Sequence, residues 1–69
     1  MQFNYSKLRG RIIECYGSCA NFAKALGIKP TTLSMKLHNR LEFKQSEIDC
    51  ARDLLGIGER ELGSYFFTR

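Results

Sequence analysis

The sequence predicts an all-α fold, a compact bundle of four to five short helices that contains a helix-turn-helix. Three observations carry that expectation. Apolar residues recur at helical spacing, as in Leu8, Ile12 and Tyr16 or Leu33 and Leu37, and no stretch alternates as a strand does. Capping residues, glycines and one proline separate these stripes by short gaps. Two of the helices are joined by a tight turn around Gly27.

The first helix is expected over Tyr5 to Tyr16. Asn4 is its N-cap, with Phe3 and Leu8 at the N′ and N4 positions of a hydrophobic staple, and Gly17 ends it. Ser18 caps a second helix, Cys19 to Leu26, whose inward residues are Phe22, Ala23 and Leu26. Pro30 lacks an amide hydrogen and has a fixed φ, so it suits the first turn of a third helix running to about His38, with Asn39 as its stop. A fourth helix follows Lys44. There Phe43 and Ile48 form a second staple, Glu47 sits at the N3 position that favours a carboxylate, and Leu55 is last before Gly56. A short fifth helix spans about Glu59 to Tyr65. With 69 residues the chain is expected to form one domain, residues 1–69, with a thin core.

Composition narrows the function. No run approaches the roughly 20 apolar residues of a membrane span, and residues 2–11 are too polar for a secretory signal, so a cytoplasmic location is expected. Cys15, Cys19 and Cys50 cannot all pair within one chain, and reduced thiols are expected. Together with His38 they lack any C-x2-C spacing, so neither a metal nor another cofactor is expected. No carboxylate pair, nucleophile–base set or phosphate loop is present, and one histidine leaves little scope for acid–base catalysis; the chain does not read as an enzyme. The net charge of +4 is unevenly placed. Residues 1–40 carry seven basic side chains (Lys7, Arg9, Arg11, Lys24, Lys29, Lys36, Arg40) against Glu14, whereas residues 41–69 carry four against six acids. A basic half attracts a polyanion, most often nucleic acid.

The central motif has position-specific demands. Ala23 supplies the small residue where one helix packs beneath the next. Gly27 supplies the turn residue tolerant of positive φ, Ile28 plugs the turn, and Leu33 and Leu37 anchor the second helix. The stretch SCANFAKALGIKPTTLSMKLHNR resembles the helix-turn-helix of the Cro and lambdoid-repressor family. The whole chain, from FNYSKLRGRIIE to DLLGIGERELGSYFF, is similar to the small Cro-type regulators of temperate phages and prophages. The resemblance implies a lambda-repressor-like domain that represses transcription from operator DNA, as a dimer, in the cytoplasm of a bacterial host.

With Leu33 and Leu37 inward, the opposite side of the third helix carries Thr31, Ser34, Met35 and His38, which with Pro30 match the family's base-reading positions. Hydroxyls of Thr31 and Ser34 suit base edges, and Met35 and the Thr31 methyl suit a thymine methyl. Lys29, Thr32, Lys36, Arg40 and Lys44, with Ser18, Cys19 and Asn21 at the start of the second helix, form the expected phosphate set. Lys36 is expected to lay its stem along the core edge and extend its ammonium outward. Cys19 stands where the family usually places a phosphate-binding Gln, and the third helix lacks the Gln, Asn or Arg that pair bidentately with bases, which shifts weight to DNA shape. The consecutive aromatics Tyr65, Phe66 and Phe67 cannot all face one small core. One or two are expected to dock on it and the remainder to mark a homodimer interface, with core docking alone the alternative for any one of them. The alternative expectation keeps the fold and changes the partner: an antirepressor or interaction module that binds another regulator protein.

Overall fold

A computed structural model describes residues 2–69. It contains five helices: α1 Ser6–Tyr16, α2 Cys19–Leu26, α3 Pro30–Leu37, α4 Gln45–Leu55 and α5 Glu59–Phe66, with no strand among the described residues. Each begins and ends within a residue of where its caps place it. Ser18 Oγ accepts the Asn21 backbone N–H at 3.1 Å, which satisfies one of the open donors at the start of α2. Glu47 Oε1 accepts the Lys44 N–H at 2.8 Å and does the same for α4. Gly17, Gly27 and Gly56 close α1, α2 and α4 in the left-handed conformation, at φ between 64° and 83°.

α1 starts one residue late, and the cause lies outside the helix. Tyr5 takes the cap position and buries its ring against Phe43, edge-on at 5.5 Å. Asn4 still serves the helix, its Oδ1 accepting the Ser6 N–H at 2.9 Å, while its own N–H reaches the Thr68 carbonyl at 2.6 Å. Residues 3–5 therefore form a strap between the α3–α4 connection and the C-terminal tail.

α1 packs on α2, α4 and α5, and α2 packs on α3 and α4. Leu8, Ile12, Phe22, Leu33, Leu55 and Phe66 meet at the centre with almost no solvent contact. α3 rests mainly on α2 and lies at the edge of the bundle, which leaves its outer side free. Gly27 makes the turn into it possible. At φ 83° its N–H bonds the Ala23 carbonyl, and Ile28 N–H follows to the same oxygen at 3.0 Å.

Two expectations are corrected here. Tyr65 and Phe66 belong to the core rather than to an interface; Phe66 is the last residue of α5 and packs edge-on to Phe43 at 5.3 Å. Of the aromatic tail only Phe67 stands in solvent. Lys36 is also turned inward, with 4% of its surface exposed. Its ammonium lies 2.8 Å from Glu47 Oε1, donates to the Glu42 carbonyl at 2.9 Å and sits 5.8 Å from the Phe43 ring centre. An ammonium held this way by α4 and the loop before it is withdrawn from any phosphate.

Burial alone would raise the Glu47 carboxyl. The hydrogen bonds from the Lys36 side chain and the Lys44 backbone, with the charges of both lysines, outweigh it and hold the group below its ordinary range. A depressed folded-state value contributes stability that is complete above the unfolded value of about 4.3 and is lost as pH falls through the folded one. Removing one partner of a buried pair strands the other, at a cost of about 3–5 kcal/mol. Glu47→Gln should therefore unfold at markedly lower urea at pH 7. The gap from wild type should narrow as the pH is taken below about 4, and the double variant Lys36→Met/Glu47→Gln should cost less than the two single changes added together.

Candidate nucleic-acid interface

The outer side of α3 is built by subtraction. Leu33, Lys36 and Leu37 are drawn into the bundle, so Pro30, Thr31, Ser34 and Met35 face solvent, with Met35 41% exposed. Ser34, Met35, His38 and Arg40 share a shallow depression of about 240 Å³ on this side. The structure thus brings four of the expected contact residues into one patch.

His38 has a more specific position than expected. Its Nδ1 lies 2.7 Å from the Ser34 carbonyl, and its Nε2 lies 3.1 Å from an Arg9 guanidinium nitrogen. A guanidinium only donates, so Nε2 accepts and Nδ1 carries the proton given to Ser34. Ser34 Oγ is a further 3.4 Å neighbour of Nδ1. Both ring nitrogens are thus engaged within the chain, and His38 ties the end of α3 to α1.

The expected phosphate residues other than Arg40 separate into two places. Lys29, Thr32 and Lys44 line one cleft of about 590 Å³ beside Gly27 and Ile28, and the Lys36–Glu47 pair lies along it. Lys29 and Lys44 are exposed, and Thr32 is half-buried. Ser18, Cys19 and Asn21 lie instead in the first turn of α2. Ser18 caps it, Cys19 packs half-buried against the core, and Asn21 Nδ2 donates to the Tyr16 carbonyl at 2.9 Å.

The basic half of the sequence is partly internal as well. Arg11 donates twice to the Leu55 carbonyl, at 3.0 and 2.9 Å, closing the C-terminus of α4, and pairs with Glu14 at 2.8 Å. Lys7 donates to Ser64 at 3.2 Å and stands 4.7 Å from the Tyr65 ring centre. Among the described residues Lys24, Lys29, Arg40 and Lys44 have no carboxylate partner. Three of these, Lys29, Arg40 and Lys44, flank α3, whereas Asp49, Asp53, Glu59 and Glu61 lie on α4 and α5.

Sequence reasoning missed Arg11, the Arg9–His38 contact and the role of Asn39. Asn39 is the one described non-glycine residue at positive φ, 62°, a conformation that Asn tolerates better than most residues. Its side chain makes two bonds to the backbone of Phe3: Phe3 N–H to Oδ1 at 2.8 Å and Nδ2 to the Phe3 carbonyl at 2.9 Å. The helix stop was visible in the sequence as an Asn; its distant partner carried no signal.

No described group of three or more His, Cys, Asp or Glu could hold a metal ion, and no helix is long and apolar enough to cross a membrane. The three cysteines are unpaired. A family model described as a protein of unknown function, DUF739, matches residues 1–69, and the chain belongs to that family. No curated protein sequence matches it. Among solved structures, the chain is similar to the modulator of repression (MOR) of the temperate bacteriophage TP901-1 from Lactococcus lactis. The two share 37% identity with a TM-score of 0.83, over 97% of this chain and 90% of that one.

The hydrogen-bond pattern at His38 predicts its tautomer. Long-range ¹⁵N–¹H spectra of the neutral ring should show the proton on Nδ1. Arg9→Ala removes the donor to Nε2 but leaves the Ser34 carbonyl as the acceptor of Nδ1–H, so the Nδ1–H form should persist at a reduced share.

Proposed function

We propose that this member of the DUF739 family regulates temperate-phage repression in the host cytoplasm, binding double-stranded operator DNA with α3 in the major groove. The observation that carries this reading is the charge around α3. Lys29, Arg40 and Lys44, without carboxylate partners, bracket a solvent-facing helix of groove-compatible size, and most acids lie on other elements. The similarity to a phage modulator of repression supports the regulatory part of the reading.

In this reading Thr31, Ser34 and Met35, with Pro30 at the helix start, meet base edges. Lys29, Arg40 and Lys44 meet phosphates, with Thr32 beside them. Ser18, Cys19 and Asn21 support the start of α2 next to the backbone. His38 orients Arg9 and the end of α3 rather than reading a base. Direct readout of this kind is small, hydroxylic and apolar, so DNA deformability supplies much of the discrimination. A homodimer would set two α3 helices about 34 Å apart on the duplex. With Tyr65 and Phe66 in the core, Phe67 is the tail's one free aromatic for such a contact.

A second reading is favoured by a separate observation. Leu41 and Phe67 are 43% and 52% exposed on a surface that DNA insertion does not cover, which fits an interaction module bound to another regulator protein.

Selection of bound sequences from a random DNA pool tests the first reading, with two half-sites one helical turn apart as the expected product. Equal gel-shift affinity for selected and random duplexes would remove it. Lys29→Ala, Arg40→Ala and Lys44→Ala should each weaken binding on all sequences and reduce the slope of log K against log salt by about 0.9. Thr31→Ala and Met35→Ala should instead lose discrimination at single base positions while leaving the salt slope unchanged.

A further inference from the structure

The connection between α3 and α4 is held unusually firmly for a loop. Lys36 Nζ holds the Glu42 carbonyl at 2.9 Å, and Arg40 N–H returns to the Met35 carbonyl at 2.8 Å. The Asn39 carboxamide pins Phe3 alongside by two bonds. This scaffold raises Leu41 as a ridge between two depressions. On one side lies an aromatic groove of about 470 Å³ walled by Phe3, Phe43, Phe66 and Phe67; on the other lies the cleft holding Ile28, Lys29 and Lys44. Phe67 meets Phe3 edge-on at 5.9 Å, and the Arg69 guanidinium lies 5.7 Å from the Phe3 ring centre.

We propose that the Leu41 ridge and the aromatic groove beside it bind an amphipathic helix of a partner protein, one whose apolar stripe is flanked by carboxylates. The inference rests on the protein-binding reading above and adds the place and the chemistry of the partner. Charge complementarity selects the occupant. Arg40 lines the groove, Lys29 and Lys44 line the cleft across the ridge, and Arg69 lies over Phe3 of the groove wall, whereas Glu42 is the exposed carboxylate of both depressions and Glu47 is engaged by Lys36. A second copy docked two-fold on this face would set the same cations against one another, and like charges across an interface are unfavourable. A nucleic acid satisfies the cations but gives Leu41 and Phe67 nothing apolar to cover. The anchors of an acidic amphipathic helix, at i, i+3 or i+4 and i+7, match an apolar groove with Arg40 at its edge and two lysines across the ridge. The surface is formed before binding, so little ordering opposes association.

The probe is a synthetic helix of about 18 residues with a leucine stripe flanked by glutamates, against the same stripe flanked by lysines. Both are titrated into the ¹⁵N-labelled full chain. The expected result is saturable shift changes centred on Asn39, Leu41 and Phe67 with the acidic peptide. Affinity should fall at least about ten-fold for the lysine peptide, and likewise for Leu41→Ser or Phe67→Ser, with thermal unfolding of both variants near that of wild type. No saturable binding, equal affinity for the two peptides, shifts centred on Thr31 and Met35, or self-association through Leu41 would each overturn the proposal. If the chain binds a phage repressor equally well with Leu41→Ser and Phe67→Ser, the protein-binding reading survives and this surface is excluded. If wild type binds the acidic peptide as expected but no repressor, the surface stands and that reading fails.

Discussion

The structure turns on one buried ion pair. Lys36 leaves α3 and meets Glu47 of α4, and on the way its ammonium takes the Glu42 carbonyl of the loop between them. Three elements are thereby fixed by a single charged group. Two apolar residues at these positions would offer comparable packing, but they would leave the Glu42 carbonyl without its donor and the N–H of Lys44 without its acceptor. The pair contributes less to net stability than to geometry. It sets how α3 lies against α4, and therefore which way Thr31, Ser34 and Met35 point and how far Leu41 stands out.

A chain of this size has few core residues to absorb error, and it compensates with short ties at the margins of its elements. Arg11 closes α4 through the Leu55 carbonyl, Tyr16 reaches the Leu54 carbonyl at 3.3 Å, and Asn39 holds Phe3. Asn4 then joins the same strap to Thr68. Each tie satisfies a backbone group that a helix end or an extended segment leaves open. Residues 3–4 join the α3–α4 connection to Thr68, and the positive φ of Asn39 is supported by its two bonds to Phe3.

The elements were legible because their limits are local chemistry. Ser18, Pro30, Glu47 and the three capping glycines announce helix ends within a few residues of themselves, and the structure uses each as expected. The misplacements are tertiary in origin. Tyr5 leaves α1 because its ring has a better site against Phe43, and Phe66 extends α5 because the core is unfilled without it. Long cationic side chains were the least legible. Lys36, Arg11 and Arg9 have the same composition signal as Lys29 or Arg40, yet their ends go to a carboxylate, a helix terminus and a histidine. Charge asymmetry counts cations; it does not say which of them reach outward. The outward side of α3 was accordingly legible in the sequence, whereas the inward turn of Lys36 was not.

What remains outward divides between two surfaces that share a boundary. Arg40 lines both the depression beside Met35 and the aromatic groove beside Leu41, and Leu41 follows it directly in the chain. Lys29 and Lys44 stand across the cleft on the far side of the same ridge. Phosphates approaching α3 and carboxylates approaching the ridge would therefore draw on the same three cations. Occupation of one surface would then weaken the other even where the bound molecules do not overlap, because each partner would neutralise charge that the other requires. If the protein takes both partners, the two would compete for one face, and the inward turn of Lys36, which withdraws one cation from it, would sharpen that competition.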